Sequence, residues 1–378
     1  MNFKVRKLHV IFIGYIKGYL VVGGYLMNNT EWVKYSKAFE VEAKKNGKSL
    51  EYITKYLKYA ELLASTNLPI IFDGQHLGGL IGIKHDYLYK VVNSQKNFYR
   101  KFYIKKRNGK KRIIHEALPN LKIVQKWILE NILYNIGVSK FAKAYIKGIS
   151  IKDNVRFHKK QNQILKIDIL DFFTSIQEKQ VYRIFRKAGY SEELSVLLTK
   201  LCTINGYLPQ GASTSGYLSN LVMMDFDKTL SKYCLERKIR YTRYADDLTF
   251  SGDFDYKSLF NFVKHRLKLM ELDINDKKTK ILKRSSSQIV TGIVLNEKIQ
   301  VPKDYRRKIR LEIHYIKKYG LHQHLKKTQN KISTDNYLES LIGKVNYCLF
   351  INSNDLAMLE YKDYLHSLFL DLFSKQIN

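Results

Sequence analysis

The chain has 378 residues, 45% of them apolar, which is enough for two or three packed lobes and too apolar for a disordered tail. Its 66 Lys and Arg against 34 Asp and Glu leave a net charge of +32, a self-repulsion that a polyanion such as nucleic acid would neutralise. Three scattered cysteines, Cys202, Cys234 and Cys348, form neither a disulfide framework nor a zinc pattern and read as reduced, cytoplasmic core thiols, and no GxxxxGK[ST] loop marks an ATP-driven motor.

Residues 1–26 set Lys4, Arg6 and Lys7 before a largely apolar run from His9 to Leu26, which imitates a signal peptide or anchor. Lys17 interrupts it, so the preferred reading is an upstream extension of the open reading frame with Met27 as the start, and no membrane is expected. From Glu31 to Thr66, Trp32, Tyr35 and Phe39, then Leu50, Ile53 and Leu57, recur at helical spacing around Gly47 and predict two helices. The stretch from Asn67 to Asn97 is mixed and carries no assigned chemistry. Phe102 to Glu116 alternates around Asn108-Gly109, a tight-turn dipeptide, and predicts a basic hairpin with Lys110, Lys111 and Arg112 near its tip. Three cations there form either a solvated tip or a grip for phosphate oxygens, to which Arg offers a fork and Lys a point charge. Pro119 then opens an amphipathic helix through Leu121, Val124, Ile128 and Ile132.

Gln163 to Asp168 reads as an apolar strand that ends on Asp168 and turns into a helix. Leu208-Pro209-Gln210-Gly211 opens a run of small residues where a backbone can pass close to a ligand, and the helix after it carries Asp225 and Asp227 as a polar face. Tyr241 to Gly252 holds the densest signal, because aromatic and β-branched residues flank Ala245-Asp246-Asp247 and predict a tight hairpin with two carboxylates at its tip. An Asp-Asp pair alone is usually a solvated turn, but half-buried neighbours repel one another and persist where a divalent cation neutralises them. Magnesium asks for a few carboxylate oxygens plus phosphate and water, so a third carboxylate is expected, and Asp168 is the best candidate. Such a triad suits two metal ions that activate a hydroxyl and stabilise a leaving pyrophosphate, with Mg²⁺ expected and Mn²⁺ the alternative. Farther on, Tyr305, Ile309, Ile313 and Ile316 share one helical face with Arg306, Arg307 and Arg310 outside it, an arrangement suited to phosphates along a duplex. A final helix runs through Tyr337, Leu341, Val345 and Leu349, while His322 and His324 read as a surface pair without zinc.

Tyr244-Ala245-Asp246-Asp247 in its apolar hairpin, with the Asp168 strand upstream, resembles the catalytic motifs of reverse transcriptases. The resemblance implies an α+β right-hand polymerase: a helical region over 27–96, fingers and palm over 97–285 with an antiparallel sheet bearing the aspartates, and an RNA-recognition element and helical thumb over 286–378. It implies Asp168, Asp246 and Asp247 as catalytic metal ligands, Lys110 and Arg112 as nucleotide contacts with Arg112 favoured, and Gln210 at the template-side pocket. It further implies Lys278 at the departing pyrophosphate and the ring of Phe173 against the incoming sugar, where it would exclude a 2′-hydroxyl. Phe172 is the expected core member of the Phe-Phe pair. Gly216 stands where many relatives have proline, a change expected to loosen the turn while leaving Gln210 and Gly211 in place.

Two further stretches narrow the resemblance. Val290-Thr291-Gly292 resembles the VTG element of retron reverse transcriptases, and Asn154-Val155-Arg156-Phe157-His158 approximates their Asn-Ala-x-x-His element with Val155 in place of alanine. They imply RNA binding by Asn154, His158, Val290, Thr291 and Gly292, beside Arg306, Arg307 and Arg310. A retron would copy part of a cognate structured non-coding RNA from dNTPs, primed by a guanosine 2′-hydroxyl, into a branched RNA–DNA hybrid. It would act in the cytoplasm against phage with an accessory effector (toxin) protein. Rival readings are a group II intron, diversity-generating or abortive-infection reverse transcriptase, an RNA-dependent RNA polymerase, which would want a smaller residue than Phe173, and a non-catalytic RNA-binding scaffold.

Overall fold

The structure is a computed structural model, and it describes residues 29–105, 109, 111–327 and 333–377. The N-terminal extension with Met27, and Lys110 at the basic tip, lie outside the described residues. Helices α1 (Asn29–Lys45) and α2 (Leu50–Ser65) flank Gly47, with Glu31 at the positive start of α1 and Lys44 and Lys45 at its negative end. The Ser49 side chain caps α2 by accepting from the Tyr52 amide. The mixed stretch from Asn67 to Asn97 includes α3 (Gly74–Ile81), capped by Asp73, and α4 (His85–Asn93). Strands β1 (Tyr99–Lys105) and β2 (Lys111–Ala117) form the expected basic hairpin, and Pro119 opens α5 (Pro119–Asn131), which buries Leu121, Val124 and Ile128.

A short helix α6 (Ile151–Val155) precedes β3 (Gln163–Asp168), and β3 turns into α7 (Phe172–Ser175). Next come α8 (Glu178–Lys187), α9 (Glu192–Cys202), α10 (Ser215–Val222) and α11 (Met224–Glu236). The pair β4 (Arg240–Tyr244) and β5 (Asp247–Gly252) leads into α12 (Tyr256–Lys268), then β6 (Lys280–Lys283). A small hairpin of β7 (Ile289–Val290) and β8 (Ile293–Val294) is followed by α13 (Lys303–Tyr319), α14 (Leu321–Lys327), α15 (Thr334–Ile351) and α16 (Leu356–Ile377).

These elements sort into two compact units. One takes the chain up to Lys147, then Ile169–Lys232 and Phe260–Asn275. Within it Phe39, Ala43 and Ile53 form a small core under the rings of Tyr56 and Phe72. The other takes Gly148–Asp168, Tyr233–Leu259 and the chain from Asp276 onward. Its centre is a four-stranded antiparallel sheet in the order β4-β5-β3-β6. Val155 and Ile164 join Val290, Ile293, Ile309, Ile313, Leu341 and Val345 in one apolar core, so the sheet, the β7–β8 hairpin and the C-terminal helices share the same burial. The three cysteines are buried thiols.

Candidate active site

Strand alternation decides where the carboxylates go. Directly paired residues of antiparallel strands share a face, and here Asp168 at the end of β3 pairs with Asp247 at the start of β5. Tyr244 pairs with Asp247 across β4–β5, so Ala245 and Asp246 are the whole loop. Ala245 takes the left-handed conformation (φ 56°) that a two-residue loop demands, and the buried Arg243 guanidinium donates to its carbonyl at 3.3 Å. Asp168, Asp246 and Asp247 are thereby held at one end of one sheet.

Their electrostatics follow from that crowding. Burial, then the charges of Asp247 and Asp168, pushes the Asp246 carboxyl up to about 6. Burial also raises Asp247, opposed by Lys166 and reinforced by Asp168. The Lys278 ammonium donates to both oxygens of Asp168, at 2.9 and 2.8 Å. Partial burial works against the charge on Lys278, but this bond and the three carboxylates win and raise its pKa. Among the described residues no three His, Cys, Asp or Glu side chains close around a common point at metal-ligand spacing. Neighbouring carboxylates are nevertheless the donor type that a hard divalent cation prefers.

Behind the carboxylates the same face of the sheet is polar and dry. The His158 ring has no exposed surface and lies 2.8 Å from Thr242 Oγ1 and 2.7 Å from Ser251 Oγ. Thr242 donates its hydroxyl proton to Asn154 Oδ1 at 2.7 Å, so it must accept from His158 Nε2–H, which leaves Nδ1 to accept from Ser251. Burial, then the charge of Arg240, pushes the His158 pKa down to about 3, so the ring is neutral. Asn154 in turn donates to Thr291 Oγ1 at 3.5 Å. This corrects the expectation that Asn154, His158 and Val290 touch RNA: all three have no accessible surface, Asn154 and His158 brace the hairpin that carries Asp246 and Asp247, and Val290 lies in the apolar core. Of that set only Gly292 is exposed, with Thr291 half-buried beside it in a two-residue loop where both take positive φ.

In the other unit a cavity of about 540 Å³ is lined by Phe173, Gln210 and Gly211 together with Tyr145, Lys147 and Gly216. Phe172 is 3% exposed and Phe173 half-buried, so Phe172 is the core member of the pair. The Gln210 carbonyl accepts from the His115 amide at 2.8 Å, which ties the small-residue loop to β2. Gly211 (φ 120°) permits this approach, because a Cβ there would meet the Ile114 side chain at 2.7 Å. Arg112 is exposed on β2. Gly216 is the second residue of α10, and Ser215 before it donates to the Pro209 carbonyl at 2.6 Å.

The model of the family described as reverse transcriptase (RNA-dependent DNA polymerase) matches residues 104–338. The Retron Ec86 reverse transcriptase of Escherichia coli is 34% identical over 71% of this chain and 84% of its own. The Retron Mx162 reverse transcriptase of Myxococcus xanthus is 32% identical over 58% of this chain and 53% of its own. The Retron Se72 reverse transcriptase of Salmonella heidelberg (strain 579083-10) is 30% identical over 65% of this chain and 68% of its own. The chain belongs to the retron reverse transcriptases.

This reverse transcriptase is therefore an RNA-directed DNA polymerase, and its α+β polymerase fold follows with the family. Among the described residues no helix is long and apolar enough to cross a membrane. Three side chains sit elsewhere than their sequence suggested. Arg306 is not free beside Arg307 and Arg310, which are exposed, but pairs at 2.8 Å with the nearly buried Asp355. His324 is no surface residue: it is 5% exposed and shares the Glu312 carboxylate with the Tyr337 hydroxyl. Asp227 is fully buried while Asp225 stays exposed, so the two do not form one polar face. Lys166, missed in the sequence, shares its face of β3 with Asp168 and opposes the rise of the Asp247 pKa, and the period of two along β3 is the signal that points to it.

Proposed function

We propose that this retron reverse transcriptase copies part of a cognate structured non-coding RNA into DNA, using Asp168, Asp246 and Asp247 as ligands for Mg²⁺. The observation that carries the assignment is the register of the sheet: Asp168 faces Asp247 across β3–β5, and Asp246 stands next to it in a two-residue loop. Two bound ions would supply Lewis-acid stabilisation to the attacking hydroxyl and to the leaving pyrophosphate. The chain's own part is to present the carboxylates from a rigid sheet. Lys278, whose ammonium already lies against Asp168, would steady the departing phosphates; Arg112 and Lys110 would contact the triphosphate, Gln210 would border the template, and Phe173 would screen the sugar. The turn at Thr291-Gly292, exposed at Gly292, would be available to the RNA together with Arg307 and Arg310.

Retron membership supports a finer reading. The primer would be a guanosine 2′-hydroxyl within the RNA, the product a branched RNA–DNA hybrid, and the setting an anti-phage system in the cytoplasm with an effector protein. Sequencing the nucleic acid that copurifies with the protein tests this. We expect a covalent RNA–DNA species that is absent from Asp246→Ala; RNA alone in active wild-type preparations would count against self-priming.

A further inference from the structure

Tyr145 holds an improbable pose. Its backbone is left-handed (φ 60°), a region that a bulky aromatic residue enters only at a cost, yet the residue is 51% exposed. Burial therefore gives little return for the strain, and the surroundings are arranged to enforce it. The buried Asn220 side chain donates to the carbonyl of Ala144 at 2.7 Å, fixing the peptide that enters Tyr145. The ring then lies over Gly216, where an added Cβ would come within 2.5 Å of Tyr145 Cγ. Alanine or proline at that position would evict the ring, so glycine there is a condition of the pose.

The ring also meets Phe173. The two ring centroids are 6.1 Å apart at 63°, an edge-to-face pair, and Phe172 touches Phe173 from a second direction at 5.5 Å and 57°. Tyr145, Phe173 and Gly216 line the same cavity as Gln210. A gate that tells deoxyribose from ribose by steric overlap works only if its ring cannot swing aside.

We propose that Tyr145 is a positioning residue for sugar selection: seated on Gly216, its ring fixes the Phe173 ring and so sets the preference for deoxynucleotides. The proposal rests on the polymerase reading and on Phe173 as the sugar screen. Its test compares kcat/KM for dGTP and GTP on a defined primer–template. Tyr145→Ala lowers the dGTP:GTP ratio by about tenfold, the scale of a lost steric contact in a pocket. Tyr145→Phe keeps the ratio, because the ring and not the hydroxyl acts. Gly216→Ala, which leaves Tyr145 in the sequence but displaces its ring, lowers the ratio as Tyr145→Ala does. Tyr145→Ala combined with Phe173→Ala is no less selective than Phe173→Ala alone, since both act through one ring. Equal losses for dGTP and GTP in Tyr145→Ala, with the ratio unmoved, would overturn the proposal by making Tyr145 a structural residue only. An unchanged ratio in Phe173→Ala would remove the gate and this inference with it, whereas a wild type that incorporates neither nucleotide would sink the polymerase reading itself.

Discussion

The β4–β5 hairpin and the β1–β2 hairpin share a topology and differ in what surrounds them. In the first, β5 lies inside a four-stranded sheet between β4 and β3, every residue from Leu248 to Ser251 is buried, and His158 ties both strands together from one face. In the second, the two strands form a sheet of their own among the described residues, and Phe102, Tyr103 and Ile104 are exposed in succession. The Lys101 and Lys111 ammonium groups lie 5.6 Å from the Tyr103 ring, so cations and an aromatic face together meet the solvent. Carboxylates that share a metal ion need their spacing fixed to fractions of an ångström, and strands held inside a sheet supply that. A grip on phosphate works through charge, which tolerates motion. Rigidity thus marks the element where chemistry is proposed, and exposure the element where substrate capture is.

The largest effect expected from this contrast comes from the tip of the buried hairpin. Asp246→Asn and Asp247→Asn should each reduce primer extension by at least about a thousandfold, as loss of a metal-held transition-state charge demands. Neither should destabilise the fold. Replacing a carboxylate that burial and its neighbours push up to about 6 removes repulsion, so the thermal midpoint of Asp246→Asn should equal or exceed that of the wild type. Extension retained in both variants would break the comparison at its root.

A smaller effect tests whether the sheet owes its rigidity to the buried strut. His158→Ala removes the bonds that His158 makes to the hydroxyls of Ser251 and Thr242 in a dry interior, leaving Thr242 only its bond to Asn154, which costs about 2 kcal/mol. The cost should depend on pH. The folded-state pKa of His158 is pushed down to about 3, below the ordinary 6.5, so the unfolded chain takes up the proton first. The stabilisation is complete above pH 6.5 and is lost as pH falls from there toward 3. The gap between the thermal midpoints of wild type and His158→Ala should therefore narrow between pH 7.5 and pH 5. A gap that stays constant or widens would show that the ring is not held neutral by burial.

Why the aspartates were legible in the sequence and the strut was not is a matter of range. Asp168, Asp246 and Asp247 sit in segments whose alternation and turn residues fix their local geometry, and Pro119 and Asn108-Gly109 announce their elements just as locally. His158 is defined by Thr242 and Ser251, Arg306 by Asp355, and His324 by Glu312 and Tyr337, partners that arrive from 84 and 93, 49, and 12 and 13 residues away. A histidine or arginine reads the same in a string whether its partner is water or a buried hydroxyl. The left-handed Tyr145 is hidden for a related reason, since its cost is met by Asn220 and Gly216 on another element and nothing in Ala144-Tyr145-Ile146 declares it.

The exposed hairpin should give the smallest effect, and its kind matters more than its size. Arg112 is solvated on β2, opposite Ile104, so it enters a complex with its hydration largely intact and contributes as a screened charge. Removing one such contact costs about 1 kcal/mol, which predicts a KM for dNTP about fivefold higher in Arg112→Ala with kcat nearly unchanged. Added salt should weaken the wild type more than the variant, bringing their KM values together, because the lost interaction is the salt-sensitive one. If kcat fell instead while KM held, Arg112 would be acting on charge that develops only during the reaction. The projecting hairpin would then have to close and become rigid at the moment of chemistry, and the division of labour between the two hairpins would no longer stand.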